Sequence, residues 1–379
     1  MYYKPFMSDQ LSFLGMGNMR LPRLQNAGDD FRNVQIDYEK AEEIIDYAMA
    51  NGINYYDTSH IYGGSEEFLG KALSKYPRED YRLCTKYNAM GGTDFKGIFE
   101  GQLERLQTDY IDFYMIQAVL NDQSANNYLK SGCMEFMEEQ KKAGRIKHIG
   151  FSAHAPASTL EWFASAYPWE LAMIQVNYFD WAFAGADEQY RVLTEKGIPI
   201  VAMEPARGGR LATLNDEATA MLKAFRPEWS VASWAYRWLM SLPNMQVVLS
   251  GMSAIDQIID NVETFSELSP LSEEETAVLE QVREMLKAEI VVPCTDCRYC
   301  VEDCPEEIDI PEAMKVYNDL RILSWAMSGP TLERLRVGEK TPADCSACKT
   351  CLERCTQAIN IPEIMEELKG RLTRTGRRE

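Results

Sequence analysis

The segment Gly52-Ile-Asn-Tyr-Tyr-Asp57 decides how most of the chain folds. It follows an amphipathic run over residues 38–50, in which apolar side chains recur at helical spacing. The glycine between the two suits the left-handed backbone that often ends a helix, and the residues from Ile53 onward are typical of a short buried strand. The same order recurs at Gly197-Ile198, which indicates a repeating unit of helix, glycine and strand.

Short apolar runs alternate with longer amphipathic runs from Leu14 to about Ser250. Eight of the apolar runs are predicted strands, at residues 14–19, 53–57, 82–86, 111–116, 148–152, 172–176, 198–202 and 247–250. Strands that alternate with helices form parallel sheets, so eight such units predict a closed (β/α)8 barrel, the TIM-barrel fold of the α/β class. Such a barrel takes roughly 250 residues, and the rest of the 379-residue chain therefore needs a separate explanation.

The region after the eighth strand predicts a connection to a second domain. A helix is expected over residues 254–265, and Ser272 with Glu275 forms a capping box that opens another helix to about Ala288. We expect this second helix to bridge the domains. The predicted divisions are a barrel at residues 1–268, a bridging helix at 269–290 and a small, mainly helical domain at 291–379.

The composition of the chain limits the classes of molecule that it is expected to bind. The chain has 39 Lys and Arg against 58 Asp and Glu, and the resulting net charge of −19 would repel nucleic acid and anionic lipid. The start, MYYKPFMSDQ, has no basic region followed by an apolar run, and no apolar stretch is long enough to span a bilayer. We therefore expect a cytoplasmic protein without nucleic-acid or membrane partners. In that compartment thiols stay reduced, so the ten cysteines are not expected to form disulfides.

Eight of the ten cysteines form two runs with the spacing C-x2-C-x2-C-x3-C. The first run is followed by Pro305 and the second by Thr356. This is the spacing of bacterial ferredoxins, in which the fourth cysteine of each run ligates the cluster of the other run. The prediction is two [4Fe-4S] clusters, one held by Cys294, Cys297, Cys300 and Cys355, the other by Cys345, Cys348, Cys351 and Cys304. Structural zinc is the alternative, but zinc prefers two separated pairs of ligands.

Cys84 and Cys133 lie outside the two runs, and one of them can be interpreted from its neighbours, as can the link between the runs. Cys84 lies in an apolar run and is expected to be inert core rather than a nucleophile. The link is predicted to be helical over residues 311–323, with a proline in its first turn. The C-terminal domain therefore resembles the helical two-cluster ferredoxin modules rather than a small β-rich ferredoxin.

Three polar side chains lie at or just after the carboxyl ends of the predicted second and third strands. Barrel enzymes carry out their chemistry at this end of the barrel. The three side chains are Asp57, Tyr62 and Lys86. A tyrosine with a pKa near 10 is a poor acid at neutral pH, and a neighbouring ammonium would lower that pKa. Asp57 would keep Lys86 charged and oriented. The trio predicts proton transfer to or from a carbonyl oxygen.

These residues carry a resemblance to the aldo/keto reductases over residues 11–265. The matching motifs are Asp57-Thr-Ser-His-Ile-Tyr62-Gly, Leu83-Cys-Thr-Lys86, Gly15-Met-Gly-Asn-Met-Arg20, Gly150-Phe-Ser152, Gln175 and Asn261. The resemblance implies that Asp57, Tyr62 and Lys86 are three of the four catalytic residues of that family. The fourth, a histidine, is replaced by Gln117, which can donate a hydrogen bond but cannot titrate. His60 and His154 are alternatives for its role, or ordinary loop histidines.

The resemblance also implies a nicotinamide site. Ser152 and Gln175 match positions that bind the carboxamide, and Gly251 and Asn261 match the region that holds the rest of the cofactor. The loop after the eighth strand has no Lys or Arg for a 2′-phosphate, so NADH and a flavin are as plausible as NADPH. In Pro205-Ala-Arg-Gly-Gly-Arg, Arg207 and Arg210 could bind a pyrophosphate or pair with acidic side chains at the surface.

The sequence therefore predicts an iron–sulfur oxidoreductase of aldo/keto-reductase type. A nicotinamide or flavin site and a small organic substrate, such as a carbonyl compound, would lie in the barrel, and the two clusters would transfer single electrons. A ferredoxin or flavodoxin is a candidate electron partner. The alternatives are a plain NAD(P)H-dependent carbonyl reductase with structural clusters, and a barrel without catalysis that serves as an electron-transfer or scaffold subunit.

Overall fold

A computed structural model describes residues 1–24, 35–88, 94–120, 122–183, 185–288, 292, 294, 298–322, 332, 335, 340–355 and 357–375. The chain divides into two compact units. The barrel unit comprises Met1–Gly208 and Ala232–Ser272, and the cysteine unit comprises Gly209–Val231 and Glu273–Glu379. Within the described residues, no helix is both long and apolar enough to cross a membrane.

A closed parallel barrel forms the centre of the barrel unit. Its strands pair in chain order, and the last pairs with the first. They are β3 (Leu14–Gly17), β4 (Tyr55–Asp57), β5 (Arg82–Tyr87), β6 (Ile111–Val119), β7 (Ile146–Ala153), β8 (Leu171–Gln175), β9 (Ile200–Met203) and β10 (Met245–Ser250), and they are preceded by an antiparallel hairpin of β1 (Tyr3–Phe6) and β2 (Asp9–Ser12). All eight predicted barrel strands are confirmed. The hairpin was not predicted.

Helices follow the barrel strands and then form the cysteine unit. In the described part of the chain they are α1 (Tyr38–Ala50), α2 (Ser65–Leu73), α3 (Phe95–Leu106), α4 (Asp122–Lys130), α5 (Cys133–Lys142), α6 (Ala157–Phe163), α7 (Tyr178–Phe183), α8 (Ala186–Glu195), α9 (Asp216–Phe225), α10 (Val231–Met240), α11 (Ile255–Thr264), α12 (Glu273–Ala288), α13 (Tyr299–Glu302), α14 (Ile310–Ile322), α15 (Thr350–Arg354) and α16 (Ile361–Thr375). The helices predicted at 38–50, 254–265, 272–288 and 311–323 correspond to α1, α11, α12 and α14.

The barrel interior is a packed apolar core rather than a channel. Tyr55, Phe113 and Val247 are buried there together with Phe6 and Leu11 from the hairpin. Burying one side chain of this size stabilises a fold by roughly 1.5–3 kcal/mol. The interior therefore fixes the positions of the strands whose carboxyl ends carry the polar residues described below. Cys84 is also fully buried in this core, and burial raises its pKa well above the usual value, so its thiol is protonated, as predicted for inert core.

The cysteine unit differs from the predicted domain division in two ways. Helix α12, expected to bridge the domains, belongs to this unit, where it packs against α9. The reason is its apolar stripe of Leu279, Val282 and Leu286, which is buried. The segment Gly209–Val231, which leaves the barrel after β9, belongs to the same unit. Arg226 at the end of α9 pairs with the buried Glu275 of α12 at 2.6 Å.

Candidate active site and metal centres

Asp57 and Lys86 form a buried ion pair at the carboxyl ends of β4 and β5. Lys86 Nζ lies 2.6 and 2.7 Å from the two carboxylate oxygens of Asp57, and it also donates to the carbonyl oxygen of Thr58 at 2.8 Å. The Lys86 side chain is only 1% exposed. Burial is the largest single effect and would lower the pKa of Lys86, but the contributions of its neighbours, above all the charge and hydrogen bonds of Asp57, together outweigh it and raise that pKa. The ammonium is therefore charged and fixed, as the sequence predicted.

A network of buried polar side chains supports the backbone of Lys86. Its carbonyl oxygen accepts a hydrogen bond from Gln102 Nε2 at 3.0 Å. Gln102 and the hydroxyl of Thr85 both donate to the buried carboxylate of Glu66, which also pairs with Arg105 at 2.8 Å. This network connects α2, α3 and β5 beneath the lysine. Sequence reasoning missed it because its members are spread over 40 residues and share no motif.

Tyr62 lies in the turn between β4 and α2, beside the ion pair. Lys86 Nζ is 5.1 Å from the centre of the Tyr62 ring. Burial raises the pKa of Tyr62, while the charge of Lys86 lowers it to a smaller extent. The expected effect of Lys86 is therefore present, but burial outweighs it in the protein alone. Tyr62 is thus a protonated hydroxyl next to a fixed positive charge, and its raised pKa makes it a weaker acid than an exposed tyrosine.

Gln117 occupies a kinked position near the end of β6. The next residue, Ala118, has φ +58°, and the pairing of β6 with β7 is irregular between Ile116 and Val119. Ser59 Oγ accepts from the backbone N–H of Ile61 at 3.4 Å, so its own proton points to Gln117 Oε1, 2.5 Å away. Gln117 Nε2 then has no acceptor among the described residues and can donate to a substrate oxygen.

The two candidate histidines lie in different surroundings. Nδ1 of His60 is 3.1 Å from the Lys86 carbonyl oxygen, which can only accept, so Nδ1 carries the proton. Its Nε2 is buried and has no partner in the described part of the chain. His154 follows β7, and its side chain is exposed. His60 therefore remains an alternative partner for the trio, and no contact connects His154 to it among the described residues.

Ser152 and Gln175, the predicted carboxamide residues, each retain one free hydrogen-bonding function. Ser152 Oγ accepts from the backbone N–H of Ala118 at 2.9 Å, which leaves its proton to donate. Gln175 Nε2 donates to Asp180 at 2.6 Å, which leaves its Oε1 to accept. Asp180 is 1% exposed and also accepts from Asn177 at 2.7 Å and Arg207 at 3.1 Å. Sequence reasoning missed Asp180, which fixes the amide of Gln175.

The two arginines after β9 both pair with buried carboxylates. Arg207 pairs with Asp180 within the barrel unit, and its guanidinium lies over the ring of Phe179 at 5.0 Å. Arg210 pairs with Asp319 of α14 at 2.7 Å within the cysteine unit. Of the two sequence-based interpretations, the described contacts match pairing with acids. The proposed role of Arg207 in binding a pyrophosphate stays a prediction.

A cation lies beside the loop after β10, although that loop itself carries none. Arg20, which follows β3, packs its side chain against Gly251 and reaches Glu204 at 3.5 Å. Its guanidinium also lies beside Gly208, whose φ of +65° favours glycine. Asn261 of α11 donates to Ser250 at 3.0 Å and thereby supports the end of β10. Sequence reasoning placed Arg20 in a motif but did not recognise its position here.

In the cysteine unit, one cavity is lined by cysteines of both runs. This cavity, called cavity A, has a volume of about 370 Å³ and is lined by Cys304 of the first run and by Cys345, Cys348 and Cys351 of the second. Burial and the neighbouring thiols of these residues raise the pKa of Cys351 to about 11. The hydroxyl of Thr350 donates to Cys348 Sγ at 3.5 Å.

Cavity B is the counterpart of cavity A. It has a volume of about 330 Å³ and is lined by Cys294 and Cys300 of the first run and by Cys355 of the second. Cys297 and Thr356, which the sequence analysis also assigned to this region, lie outside the described residues. The backbone N–H of Ile359 donates to Cys355 Sγ at 3.4 Å. Each cavity is thus lined by described cysteines of both runs, and the crossed ligand sets stay a prediction.

The donor sets fit iron–sulfur clusters. Both cavities combine cysteine sulfurs with apolar side chains such as Ile310 and Ile361. No group of three or more His, Cys, Asp or Glu side chains among the described residues is arranged around a single metal ion. Cavities lined by thiols from both cysteine runs suit a cluster of several atoms, and N–H or O–H groups directed at the sulfurs are typical of such sites.

The fold and the two sites define a barrel oxidoreductase joined to an iron–sulfur domain. Residues 14–284 match the aldo/keto reductase family, and residues 293–359 match the 4Fe-4S dicluster domain. Because the first match covers well over half of the chain, this protein belongs to the aldo/keto reductase family. The predicted family, fold and C-terminal dicluster domain are confirmed.

Individual relatives agree with this assignment. The chain is 27% identical over 273 residues to the uncharacterized oxidoreductase YqkF of Bacillus subtilis (strain 168), which covers 64% of this chain and 87% of the relative. It matches the holo form of aldo-keto reductase AKR11C1 from Bacillus halodurans at 25% identity with a TM-score of 0.60, over 74% and 96% of the two chains. An aldo-keto reductase from Klebsiella pneumoniae in complex with NADPH shares the fold at 18% identity and a TM-score of 0.58, over 75% and 95%.

Proposed function

We propose that this enzyme interconverts a carbonyl compound and its alcohol in the barrel and that the cysteine unit exchanges single electrons with that site. The carrying observation is the intact arrangement of Tyr62, Lys86 and Asp57 at the carboxyl ends of the barrel strands, in the same chain as two cysteine-lined cavities. When bound, a nicotinamide supplies or accepts hydride, and each [4Fe-4S] cluster supplies or accepts one electron.

Each member of the trio has a distinct task in the proposed reaction. Tyr62 gives the proton of its hydroxyl to the substrate oxygen in the reducing direction and takes it back in the reverse direction. Lys86 stabilises the charge that then develops on the tyrosine oxygen. Asp57 keeps Lys86 charged and in place through its bonds of 2.6 and 2.7 Å. Gln117 Nε2 donates a hydrogen bond to the same substrate oxygen.

The free groups of Ser152 and Gln175 support a nicotinamide rather than a flavin. A primary carboxamide presents one carbonyl acceptor and one N–H2 donor. Ser152 retains a donor and Gln175 retains an acceptor, because Ala118 and Asp180 occupy their other functions. The pair is therefore complementary to a carboxamide. Arg20 and Gly251 would lie along the phosphate part of the cofactor, and the choice between NADH and NADPH would depend on Arg20.

For the clusters, we propose the crossed ligand sets. Cys304, Cys345, Cys348 and Cys351 would hold one cluster in cavity A, and Cys294, Cys297, Cys300 and Cys355 would hold the other in cavity B. The described cysteines that line each cavity support this division. A ferredoxin or flavodoxin remains the candidate partner, since these proteins carry one electron at a time.

Replacing Tyr62 by phenylalanine tests the proposed chemistry. Loss of the proton donor should lower turnover of aldehydes and ketones with NADH or NADPH by at least about 10²-fold, the usual contribution of general acid catalysis. Tyr178→Phe is the matched control, because it removes a buried hydroxyl that has no partner among the described residues. Equal turnover in the Tyr62 variant and the wild type would exclude catalysis by the trio.

A further inference from the structure

We propose that an external one-electron carrier protein docks on the exposed loop of residues 345–349 and exchanges electrons through the cluster of cavity A. The proposal rests on the proposed function, since it assumes that the clusters carry electrons. It adds which of the two clusters faces the carrier and which surface receives it.

The loop is the exposed wall of cavity A. Cys348 and its neighbours Ser346, Ala347 and Lys349 are all exposed, although they line the cavity. In cavity B, Cys300 is buried, and Cys294 and Cys355 are only partly exposed. Among the described cysteines, Cys348 is the exposed one, so a cluster held in cavity A would reach the surface at this loop. Since electron transfer slows steeply with distance, a carrier should react fastest there.

The loop also has the form of a small protein-docking surface. Leu352, one turn into α15, adds an exposed apolar side chain next to Cys348. One nearby charge is paired, since Arg354 contacts Asp303 at 2.5 Å. The small and apolar side chains around Cys348 permit close approach of a carrier. In each encounter the carrier would lose one electron and the bound cluster would gain it, so two encounters supply the electron pair that, with two protons, reduces a carbonyl to an alcohol.

Two exposed alanines give a matched test. Ala347 precedes Cys348 at cavity A, and Ala358 lies between two residues that line cavity B. Both are exposed and both have left-handed backbone, with φ of +55° and +53°. A tryptophan at either position therefore meets the same backbone conformation. Only Ala347→Trp should keep a carrier away from the cluster of cavity A.

The measurement is the stopped-flow bleaching of the iron-loaded protein by a reduced [4Fe-4S] ferredoxin and, separately, by methyl viologen radical. Ala347→Trp should slow reduction by ferredoxin at least tenfold and weaken binding of oxidised ferredoxin, with less than twofold change with viologen. Ala358→Trp should change neither rate more than twofold. If Ala347→Trp does not retain iron, Ser346→Trp takes its place.

Wild-type rates in the Ala347 variant, or selective slowing in the Ala358 variant, would overturn the proposed docking surface. The experiment does not depend on the barrel, because it reads cluster reduction alone. If ferredoxin reduces the clusters through this loop but neither NAD(P)⁺ nor a carbonyl substrate reoxidises them, the docking surface stands and the proposed function fails.

Discussion

In the barrel unit, Lys86 and Asp57 hold each other through direct hydrogen bonds, whereas in the cysteine unit the functional sulfurs line cavities, and burial with neighbouring thiols raises the pKa of Cys351. The carboxylate of Asp57 compensates the buried charge of Lys86 without any cofactor. The described contacts show no comparable ion pair among the cysteines that line cavity A. The barrel site is therefore preorganised by protein contacts, and we predict that the order of the cysteine unit depends more strongly on bound clusters.

Removing iron should have the largest effect and should separate the two units. Treatment with a chelator and reductant is expected to unfold the cysteine unit, because the binding free energy of a structural metal is also folding free energy. Hydrogen exchange would then show loss of protection in α14 and α16, with protection retained in β5 and β6. Unchanged protection of α14 and α16 without iron would contradict the proposed difference between the two units.

Breaking the Asp57–Lys86 ion pair of the barrel should have the next largest effect. Lys86→Met leaves the carboxylate of Asp57 buried and unpaired, and we expect the free energy of unfolding to fall by about 3–5 kcal/mol. Denaturant unfolding of the iron-loaded protein measures this. The double variant Lys86→Met/Asp57→Asn removes the uncompensated charge and should recover part of the loss. A single variant as stable as the wild type would mean that the pair does not organise the site.

At the amino ends of the strands, Glu170 gives a pH-dependent prediction. Partial burial would raise the pKa of its carboxyl, yet contacts with His148, Lys141 and the backbone N–H of Ile149 lower that pKa to about 2. A lowered pKa stabilises the fold above the usual value of 4.5, and this stabilisation is lost as the pH falls from about 4.5 towards about 2. Glu170→Gln should therefore cost on the order of 2 kcal/mol at pH 6 and much less at pH 3. A cost that is constant with pH would refute this origin.

The smallest expected effect concerns the cofactor. Asp180→Asn gives Gln175 a partner that both donates and accepts, so the amide of Gln175 is no longer fixed with its oxygen free. We expect the KM for NADH or NADPH to rise about tenfold, or about 1.4 kcal/mol, with little change in kcat. Asp187→Asn on the exposed side of α8 is the control. An unchanged KM in the Asp180 variant would remove Asp180 from the cofactor site.

The repeating parts of the fold were predictable from the sequence. All eight barrel strands follow from alternating apolar and amphipathic runs, because strands in a parallel barrel are buried on both sides. The hairpin β1–β2 was not, since its strands have four residues each and one contains Pro5. The position of α12 in the cysteine unit depends on packing against α9, about fifty residues away, which no local pattern reveals.

Some residues of the candidate site could likewise be predicted from the sequence, and others could not. Asp57, Tyr62 and Lys86 could be predicted because they stand at strand ends within recognisable motifs, and the cysteine runs because their spacing is specific. Asp180 could not, because no motif marks it and its contacts with Gln175, Asn177 and Arg207 are visible only in the folded structure. The raised pKa of Tyr62 was also unpredictable, since it depends on how much burial opposes the charge of Lys86.

The most direct test of the central claim is whether the barrel and the clusters exchange electrons. The protein would be purified without oxygen, its iron and sulfide assayed, and its visible spectrum recorded before and after addition of NADH, NADPH or dithionite. The account predicts about eight iron atoms per chain, from two four-iron clusters, and bleaching by NADH or NADPH. Eight iron atoms that bleach only with dithionite would contradict electron exchange between nicotinamide and clusters.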